Sequence, residues 1–156
     1  MRLRSSPKAI AGGFALGTFI ALTPTVGLQI ILAICISTLL NWNRPAAILP
    51  VWISNPITIP PIFTFNYFIG QKIWGGPPVS EVSQLFITVG KTMARLDFWD
   101  FEKLAHSLLG LGMELVIPLC LGSIIVGLVA AIIVYVPMLK LMRFLVKRKR
   151  QHQILK

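Results

Sequence analysis

Charge is what this chain has least of. Charged residues make up 13% of it, and only five of them are acidic. A soluble domain carries about 25% charged residues, so this one lacks the polar surface that keeps a fold in water. Cysteine is also scarce. Cys35 and Cys120 each sit in an apolar run with no second cysteine nearby, which argues against a disulfide framework or a thiolate metal site. Two free, buried thiols are expected instead. There are two histidines, and His152 belongs to a basic tail. The H-E-x-x-H, C-x-x-C, G-x-S-x-G and P-loop patterns are all missing. Asp97, Asp100 and Glu102 cluster, but helix capping accounts for them without chemistry. Glu114, at the mouth of the last apolar run, reads as a hydrated interfacial carboxylate. The chain is therefore not expected to be an enzyme, and no catalytic residue, cofactor or metal is assigned.

What the chain has in quantity is apolar sequence: 55% hydrophobic residues and a mean hydropathy of +0.77. Its fifteen Lys and Arg give a net charge of +10, concentrated at the two ends. Arg2, Arg4 and Lys8 open the chain; Lys140, Arg143, Lys147, Arg148, Lys149 and Arg150 crowd its close. A nucleic-acid binder would spread such charge over one face with aromatics between, so no nucleic acid is expected. Basic flanks on apolar spans are the mark of cytoplasmic ends, and the last four cations are candidates for lipid-headgroup contact. MRLRSSPK before an apolar run also resembles a secretory signal, but the run is long for one and lacks a convincing A-x-A site.

Three runs organise the chain into one membrane domain. After a basic N-terminus (1–8), the segment 9–40 has no charge and would make a helix of about 48 Å, too long for a hydrocarbon core of about 30 Å. T-P-T-V-G at 23–27 breaks it, giving either a re-entrant hairpin or a bent span. The run 45–71 is broken by Pro50, Pro56, Pro60 and Pro61. W-G-G-P-P at 74–78 is a turn, and amphipathic helices follow over 79–113. The first turns Val82, Leu85, Phe86, Val89 and Met93 to one face; the second carries Leu104, Leu108 and Leu111 behind an Asp97 or Asp100 cap. Residues 115–139 make the clearest transmembrane helix, bounded by Pro118 and Pro137, and 140–156 is a basic tail. Cytoplasmic termini require an even number of crossings. Either 9–40 is re-entrant and 45–71 crosses outward, or the reverse, with the near-neutral stretch after Lys72 outside.

The breaks are the candidate site. Non-helical backbone at membrane depth survives only where protein buries it or where it lines a wet cavity. Asn55 and Thr58, around Pro56, can satisfy the freed groups themselves, which makes the second break a self-clamped structural feature. Alternatively Pro24, Thr25, Gly27 and Gln29 face Asn55, Pro56 and Thr58 across a substrate site, as paired discontinuous helices do in transporters. Ala9, Gly13, Gly17 and Ala21 form a smooth ridge at every fourth residue, and Ser123, Gly127 and Ala131 form another. Such ridges serve helix packing within the chain or in a homo-oligomer.

S-P-K-A-I-A-G-G-F-A-L-G-T-F-I at 6–20, P-T-V-G-L-Q at 24–29, N-R-P-A at 43–46 and N-P-I-T at 55–58 resemble the DUF2062 family. G-Q-K-I at 70–73 and P-L-C-L-G-S-I-I-V-G-L at 118–128 extend the likeness over nearly the whole chain. L-P-V-W at 49–52 departs from it, since small residues are more usual there. The resemblance implies a bacterial integral membrane protein with no assigned biochemical activity, from a family sometimes joined to sugar-transferring domains. It carries over no catalytic residue. The expected fold is all-α and polytopic, with re-entrant or broken helices, in the bacterial inner membrane. The expected function is transport or handling of a small anionic or lipid-linked molecule. The alternative is a non-catalytic scaffold for envelope or glycan-assembly enzymes. Membrane lipids are the expected partners in either case.

Overall fold

The structure, a computed structural model, describes residues 6–95 and 112–154. These form six α-helices and a short 3-10 helix, with no strand among them. The amphipathic helix expected beyond Arg95, with Leu104, Leu108, Leu111 and the Asp97–Glu102 cluster, lies outside the described residues.

Helix α1 (Pro7–Ala21) starts where Ser6 Oγ accepts from Ala9 N–H at 3.1 Å, with Pro7 in the first turn. It ends ahead of Pro24, and Gly27 takes a positive φ of 86° before α2 (Gln29–Leu39) begins. The long uncharged run is thus split at T-P-T-V-G, as its length and Pro–Gly content require. The stretch N-W-N then closes one helix and opens the next. Asn41 sits at φ 53°, Trp42 N–H donates to Ser37 O at 2.8 Å and Asn41 N–H to Thr38 O at 3.2 Å, a Schellman closure. Asn43 Oδ1 accepts from Ala46 N–H at 2.9 Å, capping α3 (Arg44–Ile48), which tightens into the 3-10 helix Leu49–Ile53 around Pro50.

Helix α4 (Ile59–Trp74) stops at Gly75, where φ is 86°. Helix α5 (Val79–Arg95) buries Val82, Phe86 and Val89 and exposes Glu81, Thr88 and Lys91, the division its periodicity predicts. Helix α6 (Met113–Ile154) corrects the boundaries drawn from the sequence, because it runs unbroken through both Pro118 and Pro137. Each proline removes one hydrogen bond, and the neighbouring turns keep theirs. The basic stretch from Lys140 is the continuation of this helix, so Lys147, Arg148, Lys149 and Arg150 lie on it.

Length makes one domain the default, yet the chain falls into two compact units. One comprises Met1–Ile20, Leu28–Trp52 and Leu128–Lys156; the other comprises Ala21–Gly27 and Ile53–Gly127. The first packs Ile20, Ala33, Ala47 and Val51 together. Within it Asn43 N–H donates to Ala9 O at 3.0 Å, and a Cβ on Gly13 or Gly17 would strike the carbonyl of Asn43 or of Ala47. The second centres on Ile59, Phe63, Tyr67, Val82, Phe86 and Leu119, with the Phe63 and Phe86 rings edge to face at 5.8 Å. Both thiols are free, but Cys35 is exposed and Cys120 half-buried, contrary to the expectation of burial. Cys35 lies on α2 beside Ile31 and Ile34, which are also exposed.

Of the described helices, one stretch, Met113–Arg148, is long and apolar enough to cross a membrane by itself. The segments 7–21, 29–39 and 44–53 are apolar but short.

Candidate functional site

The second break explains itself. Asn55 Oδ1 accepts from Ile57 N–H at 2.9 Å and Thr58 N–H at 3.0 Å, while Thr58 Oγ1 accepts from Asn55 N–H at 2.9 Å. This is a reciprocal box of the capping type in the turn ahead of α4, with Pro56 where no N–H is needed. Thr58 Oγ1 also donates to Ile53 O. Pro60 has no N–H for the carbonyl of Pro56, and Gly90 of α5 closes over that place. A Cβ there would sit 2.8 Å from Pro56 O and 2.7 Å from the Pro60 ring. N-P-I-T is therefore the turn that leads into α4, with its polar groups spent on its own backbone and covered by a neighbouring helix.

The first break is held from outside itself. Where α1 stops, its last carbonyls have no helical donor. Gln29 Nε2 reaches back to Ile20 O at 3.4 Å, within one unit. In the other, Asn66 Nδ2 donates to Leu22 O at 2.8 Å and to Ser123 Oγ of α6 at 3.0 Å. Both Asn66 and Ser123 are fully buried. The hydroxyls of Thr23 and Thr25 face each other at 2.9 Å, Pro24 and Thr25 are half-buried, Gly27 is exposed, and Val26 packs on the α4–α5 core. Asn66 thus ties the break, α4 and α6 into one polar knot.

The knot forms because the backbones come close around it. A Cβ on Gly70 would run into the carbonyl of Pro118, and one on Gly122 into the carbonyl of Asn66. The α4–α6 crossing accepts only glycine at these two positions. Asn66 Oδ1 is the one buried side-chain polar atom among the described residues with no hydrogen-bond partner. Such an atom costs about 1–3 kcal/mol and calls for a donor: a water, a hydroxyl or an ammonium.

Sequence reasoning singled out Asn55, Pro56 and Thr58, a stretch whose hydrogen bonds are local. It assigned Asn66, Gly70 and Gly122 to no site. The signal available was Asn66 four residues before Gly70, hence on one face of α4, opposite a G-S pair in the last span. Of the predicted ridge in that span, Ser123 and Gly127 are buried and Ala131 half-buried. Ala9 and Ala21 are buried on α1.

Beyond the knot, α4 and α5 leave an open groove of about 510 Å³, lined almost wholly by carbon from Pro60, Pro61, Phe65, Phe68, Val79 and Ile87. Among the described residues no three His, Cys, Asp or Glu side chains gather at one place.

A family model described as an uncharacterized protein conserved in bacteria (DUF2062) matches residues 1–151. No curated protein and no solved structure matches the chain.

Proposed function

The chain belongs to the DUF2062 family, and we propose that it works as a multi-pass inner-membrane protein, both termini cytoplasmic, that transports or handles a small anionic or lipid-linked molecule at its first helix break. Supporting the membrane setting is an inverted distribution of polarity. Thr18, Gln29, Ser37, Asn66 and Ser123 are buried, while Ile31, Trp52, Ile57, Ile132 and Ile133 are each more than half exposed. Water would penalise that surface; lipid would not. In this reading the short helices on either side of each break are re-entrant or paired segments rather than independent crossings.

The observation that carries the site is the Asn66 knot. A buried amide from another helix holds the break and leaves an acceptor atom unmatched. The break therefore combines a hydroxyl pair and an unmatched acceptor.

Purified protein in phosphatidylcholine vesicles tests this with a polyprenyl phosphate and with inorganic phosphate, by binding and by flux. Thr25→Ala and Asn66→Ala, compared at matched folded fraction, are expected to lose uptake or binding. Wild-type behaviour in both would remove the site.

The scaffold reading keeps one observation in its favour. Past the apolar part of α6, Leu141, Phe144 and Leu145 are exposed beside Lys140, Lys147 and Arg148. A face of that kind suits a membrane surface or a glycan-assembly enzyme. Loss of function on changing this face, with the Asn66 variant active, would favour the scaffold. A homo-oligomer would need other surfaces than Gly13 and Gly17, which the chain's own segment 43–47 already covers.

A further inference from the structure

The α4–α5 groove ends at a cation. Pro61, Phe65, Phe68 and Lys72 follow one another at three- and four-residue steps, so they form a single stripe along α4. The apolar part, Pro60 to Phe68, runs about 12 Å along the helix, and Lys72 lies about 6 Å further on. Its ammonium sits 4.6 Å from the centroid of the Phe68 ring. No carboxylate among the described residues pairs with it. Glu81 of α5 is two residues from the groove-lining Val79, hence about 200° around the helix and away from the groove. Trp74, 63% exposed, lies just past Lys72 at the end of α4. Lysine and tryptophan together at the end of an apolar helix mark the level of the headgroups.

We propose that this groove is a binding site for an anionic phospholipid, with one acyl chain lying along Pro61, Phe65 and Phe68 between α4 and α5 and the phosphate paired with Lys72. The proposal rests on the membrane reading above but not on the substrate site at the first break. The groove supplies a surface that an alkyl chain can fill, with the Thr64 hydroxyl as the one polar side chain in its lining. Lys72 at its mouth supplies the preference for a negative headgroup. A zwitterionic lipid carries its own ammonium into the same place and forfeits that attraction. Phe68 orients Lys72 across the mouth, because the ring face attracts the ammonium.

The test is titration of the full-length protein, held in a neutral detergent, with phosphatidylglycerol and with phosphatidylcholine, read by thermal unfolding and by lipid retained in native mass spectra. Phosphatidylglycerol is expected to bind more tightly, by about fivefold for one surface cation. Lys72→Gln should erase that difference while leaving phosphatidylcholine binding as it was. Ile87→Trp, at an exposed groove position, should fill the groove and weaken both lipids. Lys91→Gln, on the exposed face of α5, should change neither. Equal binding of the two lipids by the unaltered protein, or an undiminished preference in Lys72→Gln, overturns the proposal. So does a preference for a polyprenyl phosphate over phosphatidylglycerol that Lys72→Gln abolishes and Asn66→Ala leaves in place. Loss of the lipid preference with substrate binding intact at the first break would leave the functional reading standing, and the reverse result would leave the groove standing.

Discussion

Asn66 is the residue on which most converges. Asn66→Ala removes the donor from both Leu22 O and Ser123 Oγ, and the buried carbonyl then has no partner. A loss of about 1–3 kcal/mol is expected, seen as a lower midpoint of thermal unfolding in detergent. Ser123→Ala removes one bond between helices, for which values in lipid average about 0.6 kcal/mol and reach about 1.7 at most, so it should be the milder change. An Asn66→Ala protein as stable as its parent would mean that the knot is incidental. Asn55→Ala is expected to cost a similar about 1–3 kcal/mol, because Ile57 and Thr58 N–H groups lose their acceptor. Pro56→Ala should be nearly silent in comparison, since a proline in the first turn acts mainly by stiffening the unfolded chain, worth about 0.4–1 kcal/mol. The two asparagines differ in kind. One completes a local turn, and the other joins three segments far apart in sequence.

At the scale of elements, the α4–α6 crossing is set by two glycines. Gly70→Ala and Gly122→Ala each place a Cβ against a facing backbone carbonyl, which cannot rotate away as a side chain can. Overpacking of this kind costs about 1–3 kcal/mol and more when backbones must part. Gly75→Ala makes a control. Nothing lies within 4 Å of its Cβ position, so only its backbone, at φ 86° and ψ −168°, is penalised, by about 1–3 kcal/mol. If Gly70→Ala and Gly122→Ala are as stable as their parent, close approach is not what these glycines provide. The far end of α6 supports a separate expectation. Lys147, Arg148, Lys149 and Arg150 continue the helix past its apolar stretch, and each is expected to add about 1 kcal/mol of attraction to an anionic surface. Neutralising all four should weaken association of a tail peptide with phosphatidylglycerol vesicles and disturb insertion of the whole chain. Unchanged association would reduce this stretch to a solvated helix.

The molecule as a whole is expected to sit with both ends in the cytoplasm. With Cys35 and Cys120 replaced by Ser, single cysteines at Ser5 and Gln151 should react with an impermeant maleimide only in inverted vesicles, and one at Ser83 only in intact cells. Ser83 labelled from inside would change the number of crossings and with it the multi-pass proposal. A further single cysteine at exposed Pro45 decides which of the short broken segments crosses, since the two arrangements place this stretch, with Arg44, on opposite sides.

Composition and pattern alone determined the class of this protein. So few charges, so placed, are what led to the membrane expectation, and the 3.6-residue period marked α5 to within a few residues. Pro24 and Gly27 located the first break, because a missing donor and a left-handed φ are properties of single residues. The capping role of Asn55 was also open to sequence reasoning, since every atom in that box lies within four residues. What only the tertiary structure decided are the features made by distant segments. Whether Pro118 and Pro137 end a helix depends on packing that lets the neighbouring turns persist. Gly70 and Gly122 matter through each other, across an interval that no periodicity spans. The Asn66 knot exists because Leu22 and Ser123 are brought to opposite sides of one amide, and hydrogen-bond partners separated by 44 and 57 residues leave no local trace.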